Sequence, residues 1–255
     1  VTDMAVDERE REQAILDAAA GLLLRLGYDK LTMRDVAEAA DLHRGLLYLR
    51  FKSKDQLVEA VLVRELGRYA ETWRGHLEAD PRGGDVAGVY RAMVHVLKTL
   101  PLAAAISARD PVVFGKYLRK PSSLFQRRAG AFGMREFLRL MQEAGTMRRD
   151  VDARAVGFIL DALTPALRES FIADRARPAD PDRPSSDEVL AALADLLDRA
   201  LTPPGGADLA AGKALLLDGV DQVRAALGTA SGGTPGPAPG PAPGPTSSRR
   251  EGEPS

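Results

Sequence analysis

Arg34, His43, Arg44, Tyr48, Arg50 and Lys54 fall within one short stretch of this chain, and their side chains donate hydrogen bonds or carry positive charge. From His43 to Lys54 there are four cations, Arg44, Arg50, Lys52 and Lys54, and no carboxylate, although the 255-residue chain has a net charge of -1. An arginine fits the guanine edge in a major groove about 12 Å wide. A lysine, a tyrosine hydroxyl or the amides at a helix start fit a phosphate instead. Global charge gives no reason to expect a nucleic acid, so DNA binding has to rest on this local concentration.

These residues need a scaffold, and the apolar positions between them supply one. Thr32 is a helix cap, Val36, Ala37 and Ala40 give the first helix an inward face, and Asp41 sits at a turn where a left-handed backbone is tolerated. A second helix runs from about His43 to Leu49, with Leu42, Leu47 and Phe51 inward. Two short helices joined by a tight turn make a helix-turn-helix. On its outer face Arg34, Arg44 and Arg50 are candidates for base or nearby phosphate contacts. His43, Gly45 and Leu46 line the reading face, with Leu46 against a thymine methyl, and Thr32, Tyr48 and Lys54 hold phosphates. Ahead of it, Ile15, Leu16, Ala19, Leu22, Leu23 and Leu26 form one face of a helix ended by Gly27, and the charged residues before Ile15 read as a solvated, frayed start. After it, Ser53 with Gln56 forms a capping box that opens a long helix through Trp73.

Catalytic chemistry has no such support. The three histidines, His43, His76 and His95, are not at metal-ligand spacing, and no phosphate-binding loop, dinucleotide fingerprint or nucleophile elbow occurs. With no cysteine, disulfides and thiolate sites are excluded. No enzyme activity, metal or cofactor is expected. No signal peptide and no apolar run of membrane-spanning length is found, so the expectation is a cytoplasmic chain without a membrane partner.

The run from Ile15 to Leu57, ILDAAAGLLLRLGYDKLTMRDVAEAADLHRGLLYLRFKSKDQL, resembles the N-terminal domain of the TetR family of bacterial transcriptional regulators. Its elements come in the family's order: a first helix bearing AA, an LGY-type turn, LTMRDVAEAA, then GLLYLRFKSKDQL. It departs from the family's usual residues at Asp41, His43, Leu46 and Leu49, which bears on the operator sequence rather than on the binding mode. The resemblance implies an all-α fold: an N-terminal three-helix helix-turn-helix domain plus a larger helical ligand-binding and dimerisation domain. It also implies a homodimeric repressor of double-stranded DNA with a palindromic operator, released by a small, largely apolar effector whose signal passes along the helix that starts at Ser53.

Beyond that region, prolines and glycines divide the chain into 1–52 for DNA binding, 53–201 for effector binding and dimerisation, a possible extra helix over 202–227, and a Pro/Gly-rich tail over 228–255 with too little apolar surface to fold. Helices are expected over 86–100, 102–108, 121–145, 152–173 with Pro165 inside, and 186–201. Trp73, Tyr90, Met93, Phe114, Tyr117, Phe125, Phe132, Met134, Phe137, Met141 and Phe158 are bulky enough to enclose an apolar ligand, with His95, Arg109 and Asp161 as polar groups; plain core packing explains the same pattern. On the last two helices, Val156, Ile159, Leu160, Leu163 and Leu167 face Val189, Leu193, Leu196 and Leu197. These either pack within one subunit or pair across a two-fold axis, as in the family. A pair of heads reads half-sites about 34–36 Å apart, or multiples of that spacing. The alternative function is a helical ligand-binding or dimerising protein without sequence-specific DNA binding.

Overall fold

Gly27 sets the first corner of the chain. Its φ of 74° and ψ of 161° break the helix around it, and a side chain there would put Cβ 2.5 Å from the Val112 carbonyl oxygen. Only glycine combines that backbone with that approach. The computed structural model describes residues 2–127, 134–174 and 182–231, and all regular structure among them is helical. In chain order these are α1 (Thr2–Lys30, bent at Gly27), α2 (Met33–Ala39), α3 (Arg44–Arg50), α4 (Lys54–Ala79), α5 (Val86–Thr99), α6 (Pro101–Ala108) and α7 (Pro111–Phe114). A 3-10 turn (Gly115–Arg119) follows, then α8 (Leu124–Arg127), α9 (Met134–Glu143), α10 (Ala153–Asp174), α11 (Ser186–Leu201) and α12 (Leu209–Ser231).

Two apolar cores result. The first joins Leu16 and Leu23 of α1, Val36 of α2, Leu47 of α3 and Leu57 and Leu62 of α4, and it also takes Phe114, Tyr117 and Phe125 from the α7–α8 segment. The second holds Leu77, Tyr90, Leu138, Met141, Leu160, Leu197 and Leu216. α4 is the element common to both. Its 26 residues span about 39 Å at 1.5 Å per residue, so its start belongs to the first core and its end to the second. Arg64 fixes α4 against α1 by reaching Asp17 at 2.8 Å and the Leu16 carbonyl at 3.2 Å, with the buried Glu65 of its own helix at 2.9 Å.

The C-terminal helix docks. α12 lies along α4, with Arg74 on Asp221, Arg224 on Glu71 at 2.9 Å, and the Lys213 ammonium donating to the Asp80 carbonyl at 3.1 Å. Gly84 and Gly212 let the two backbones meet, since a Cβ on Gly212 would sit 2.0 Å from the Gly84 oxygen. The helix runs to Ser231, past the expected tail start at 228; the rest of that tail lies outside the described residues. The helix expected over 121–145 is described as α8 and α9, its middle lying outside the described residues. The short helix at Pro111 and the 3-10 turn after it were not expected, because a single turn has no periodicity to detect.

Candidate nucleic-acid interface

α2 and α3 are held by caps at every end that matters. The Thr32 hydroxyl accepts from the Asp35 amide at 3.2 Å while the Asp35 carboxylate accepts from the Thr32 amide at 3.1 Å. Asp41, with φ of 52°, makes the turn. His43 then caps α3, its Nδ1 accepting from the Gly45 amide at 3.2 Å. In the neutral ring this leaves the proton on Nε2, so His43 fixes the helix start as well as lying on the exposed face. Leu47 is buried and pins the helix to the core. The Thr32 hydroxyl, though it accepts in the cap, still has its own proton to donate to a phosphate.

What remains exposed on α3 is Arg44, Gly45, Leu46, Tyr48, Leu49 and Arg50. The Arg44 guanidinium lies 5.4 Å from the Tyr48 ring centroid and donates to its hydroxyl at 3.4 Å. This stacking points both side chains along one exposed edge. Arg34, on α2, is also exposed but is paired with Glu38 at 2.7 Å.

Two expected DNA contacts are engaged elsewhere. Arg50 turns back to α1, where Glu8 accepts at 2.5 Å and Glu12 at 2.5 Å; hydrogen bonding from Glu12 keeps it firmly charged. Arg50, expected at a base or nearby phosphate, is here part of a clamp between α1 and α3. Of the acids read as a solvated start, Glu8 and Glu12 form that clamp, and their i, i+4 spacing was the available signal. Lys54 turns inward, its ammonium donating to the carbonyls of Tyr28 at 2.8 Å and Leu31 at 3.0 Å and lying 4.2 Å from the Tyr28 ring centroid. Desolvation, with Lys120 nearby, lowers its pKa. Lys54 closes the free carbonyls after the α1 bend instead of reaching out to a phosphate. The Ser53 cap is present, with Gln56 donating to its hydroxyl at 3.2 Å, but the Gln56 side chain accepts from Lys52, not from Ser53.

Beneath the head, a latch joins it to the rest of the molecule. The Lys120 ammonium donates to the Tyr28 hydroxyl at 2.7 Å and to Asp55 at 2.6 Å, and Tyr28 donates to the same carboxylate. Desolvation pushes Asp55 up, but hydrogen bonds from Lys120 and Tyr28 outweigh it and leave its pKa lowered. The same contacts raise Lys120.

The expected effector pocket is not one cavity. Phe114 and Tyr117 belong to the first core with Phe125, whereas Trp73, Tyr90, Met93, Met134, Phe137 and Met141 belong to the second. Phe158, Arg109 and Asp161 are exposed and Phe132 lies outside the described residues. Within the second core, the Tyr90 hydroxyl meets Thr164 at 3.1 Å. Trp73 Nε1 is buried and has no acceptor among the described residues. An open cleft of about 290 Å³ lies nearby between α4, α5 and α11, bounded by His76, Asp80, Arg91, His95, Lys98 and Asp187. The His76 and His95 rings there meet edge to face at 4.1 Å, and desolvation followed by that neighbour lowers the His76 pKa. Of the expected dimer residues, Leu160 and Leu197 are buried within the subunit, and Val156, Leu163, Leu167, Val189 and Leu193 are half-buried. Ile159 at 58% and Leu196 at 63% exposure stay outside, joined by Phe158 at 77%.

Residues 15–61 match the family described as bacterial regulatory proteins, tetR family. The transcriptional repressor KstR of Rhodococcus jostii is 44% identical over 61 residues, covering 24% of this chain and 29% of that repressor. This match thus spans less than a third of KstR. The regulator TcmR of Streptomyces glaucescens is 24% identical over 203 residues, covering 67% of this chain and 88% of its own. The fold is shared with the fatty acid degradation regulator FadR of Bacillus halodurans, with a TM-score of 0.53 at 18% identity over 73% of this chain and 94% of that one. It is shared also with FadR of Bacillus subtilis in complex with stearoyl-CoA, with a TM-score of 0.50 at 16% identity over 72% and 96%. The helix-turn-helix segment is thus of the kind found in the tetR family of bacterial regulatory proteins, and the helical fold beyond it is the one these solved regulators share.

Proposed function

We propose that the chain is a homodimeric repressor that reads a palindromic operator with α3 and leaves it when a small, largely apolar ligand enters the second core. The observation that carries this is the exposed Arg44–Tyr48 edge on a helix fixed by the His43 cap and by buried Leu47. Such an edge is rigid and donor-rich, which major-groove reading requires. In this reading residues 1–52 are the reading head, 53–201 carry effector binding and the dimer contact, and 202–227 brace α4. The exposed stripe of Ala155, Phe158, Ile159, Ala162 and Ala166 on α10, beside Leu196 of α11, supports the dimer.

Effector release needs a ligand that prefers the DNA-incompetent state, since equal affinity for both states shifts nothing. The buried Trp73 indole N–H, with no acceptor among the described residues, is the group a ligand oxygen would complete. FadR of B. subtilis, which has this fold, was solved with stearoyl-CoA, and an acyl chain with a polar end suits an apolar core containing that N–H. The test is fluorescence anisotropy of the full chain on DNA enriched from a random-core duplex library, with scrambled competitor. Saturable binding by two chains per site, at least two decades tighter than the competitor, supports the reading; only weak binding with a steep salt dependence sinks it. Titration with fatty acyl-CoA then follows the emission of Trp73, the chain's one tryptophan. Quenching together with operator release is the expected outcome.

A further inference from the structure

We propose that the half-site centres on thymines, held by their 5-methyl groups against an apolar ridge made by Gly45, Leu46 and Leu49. This rests on the DNA-binding reading above and specifies what α3 reads. Leu47 is 0% exposed and fixes the inward direction of the helix. At about 100° per residue, the direction opposite Leu47 falls between Gly45 and Leu49, with Leu46 and Tyr48 to either side. Leu49 is 72% and Leu46 51% exposed. Being three residues apart they form one patch, and Gly45 beside them adds no side chain, which lets the helix approach closely.

The cations that surround this ridge in the sequence are engaged within the protein. Arg50 is held by Glu8 and Glu12, Lys54 by the carbonyls of Tyr28 and Leu31, and the Lys52 ammonium donates to the Leu49 carbonyl at 3.3 Å. Of the two arginines of α3, Arg44, at the start of the helix, is the one whose guanidinium is turned outward along Tyr48 rather than onto carboxylates. The part of the helix that goes deepest thus has no hydrogen-bonding side chain. Against guanine or cytosine, leucines would strip water from polar edges without replacing it. The thymine methyl is the one apolar group the major groove presents, so the ridge selects thymine under Leu46 and Leu49 and leaves a guanine to Arg44.

The experiment takes the enriched duplex and replaces each thymine of the half-site in turn with deoxyuridine, which differs only by the methyl. At one or two positions affinity is expected to fall about fourfold, the equivalent of about 0.8 kcal/mol for one buried carbon. The salt slope is expected to stay the same, because no phosphate contact is lost. Leu49→Ala and Leu46→Ala, at exposed positions where folding is checked by circular dichroism, should each lose affinity for the thymine duplex and become indifferent to uracil at one position. A duplex in which uracil equals thymine everywhere, or an enriched half-site without thymine, overturns this inference and leaves DNA binding standing. Failure of any sequence to enrich overturns both. Leucine variants that keep their DNA affinity but change the oligomeric state also overturn it, since the ridge would then serve a protein contact.

Discussion

Arg44 and Arg50 are the same residue type on the same seven-residue helix, yet they do different work. Arg44 faces out along Tyr48, while Arg50 spends its donors on Glu8 and Glu12. Arg44→Ala is expected to relax discrimination at one base pair by about 1–3 kcal/mol, read by anisotropy on operators changed one pair at a time. Arg50→Ala should weaken all operators alike and lower stability by about 0–1 kcal/mol, the range of a surface ion pair. An Arg50 variant that loses discrimination at a single pair would return it to the groove. Lys54 is separated from a phosphate role by the salt slope. Its loss leaves two carbonyls without their donor, so Lys54→Met should cost about 1–3 kcal/mol in urea unfolding while the slope of operator affinity against salt stays unchanged. A slope reduced by about one would assign Lys54 to a phosphate after all.

Between elements, the latch of Lys120, Asp55 and Tyr28 carries the mechanical argument. It ties the segment after α7 to the end of α1 and the start of α4, so that the α7–α8 segment and the head are held together at the base of the first core. A double-mutant cycle of Lys120→Met and Asp55→Asn should show a coupling of about 0.5–3 kcal/mol, as contacting residues do; additive effects would mean the contact carries no energy. Because the folded Asp55 pKa lies below its ordinary value, the unfolded chain takes up the proton first on acidification. The latch therefore stabilises fully at neutral pH and its contribution is lost as pH falls through the lowered value, so the gap between wild type and Asp55→Asn should close in acid. None of this was legible in the sequence, since Lys120 lies 92 residues from Tyr28 and 65 from Asp55. The caps at Thr32 and Ser53 and the turn at Asp41 were legible because each is decided within four residues. The pocket was misjudged for a related reason: aromatic residues at helical spacing announce burial, but not which of two cores buries them.

For the whole molecule, a balanced net charge and a single cationic edge have opposite implications. With Arg50 and Lys54 held within the subunit, one head has few cations left for phosphate neutralisation, and the proposed dimer supplies the rest of the affinity through a second head. The apolar stripe of α10 is where the second copy would sit, and at a two-fold interface every substitution enters twice. Ile159→Asp in a central contact should cost about 2 kcal/mol per copy, hence about 4 kcal/mol in all, or nearly three decades in the dimer Kd. Because Ile159 is exposed in the subunit, helicity and melting of the separated chain should be preserved, unlike the result of a charge at buried Leu160. Sedimentation should then show monomers at concentrations where the wild type is paired, with operator affinity falling to the level of a single half-site. A variant that stays dimeric would move the interface off α10, and a monomer that keeps full operator affinity would show that one head suffices.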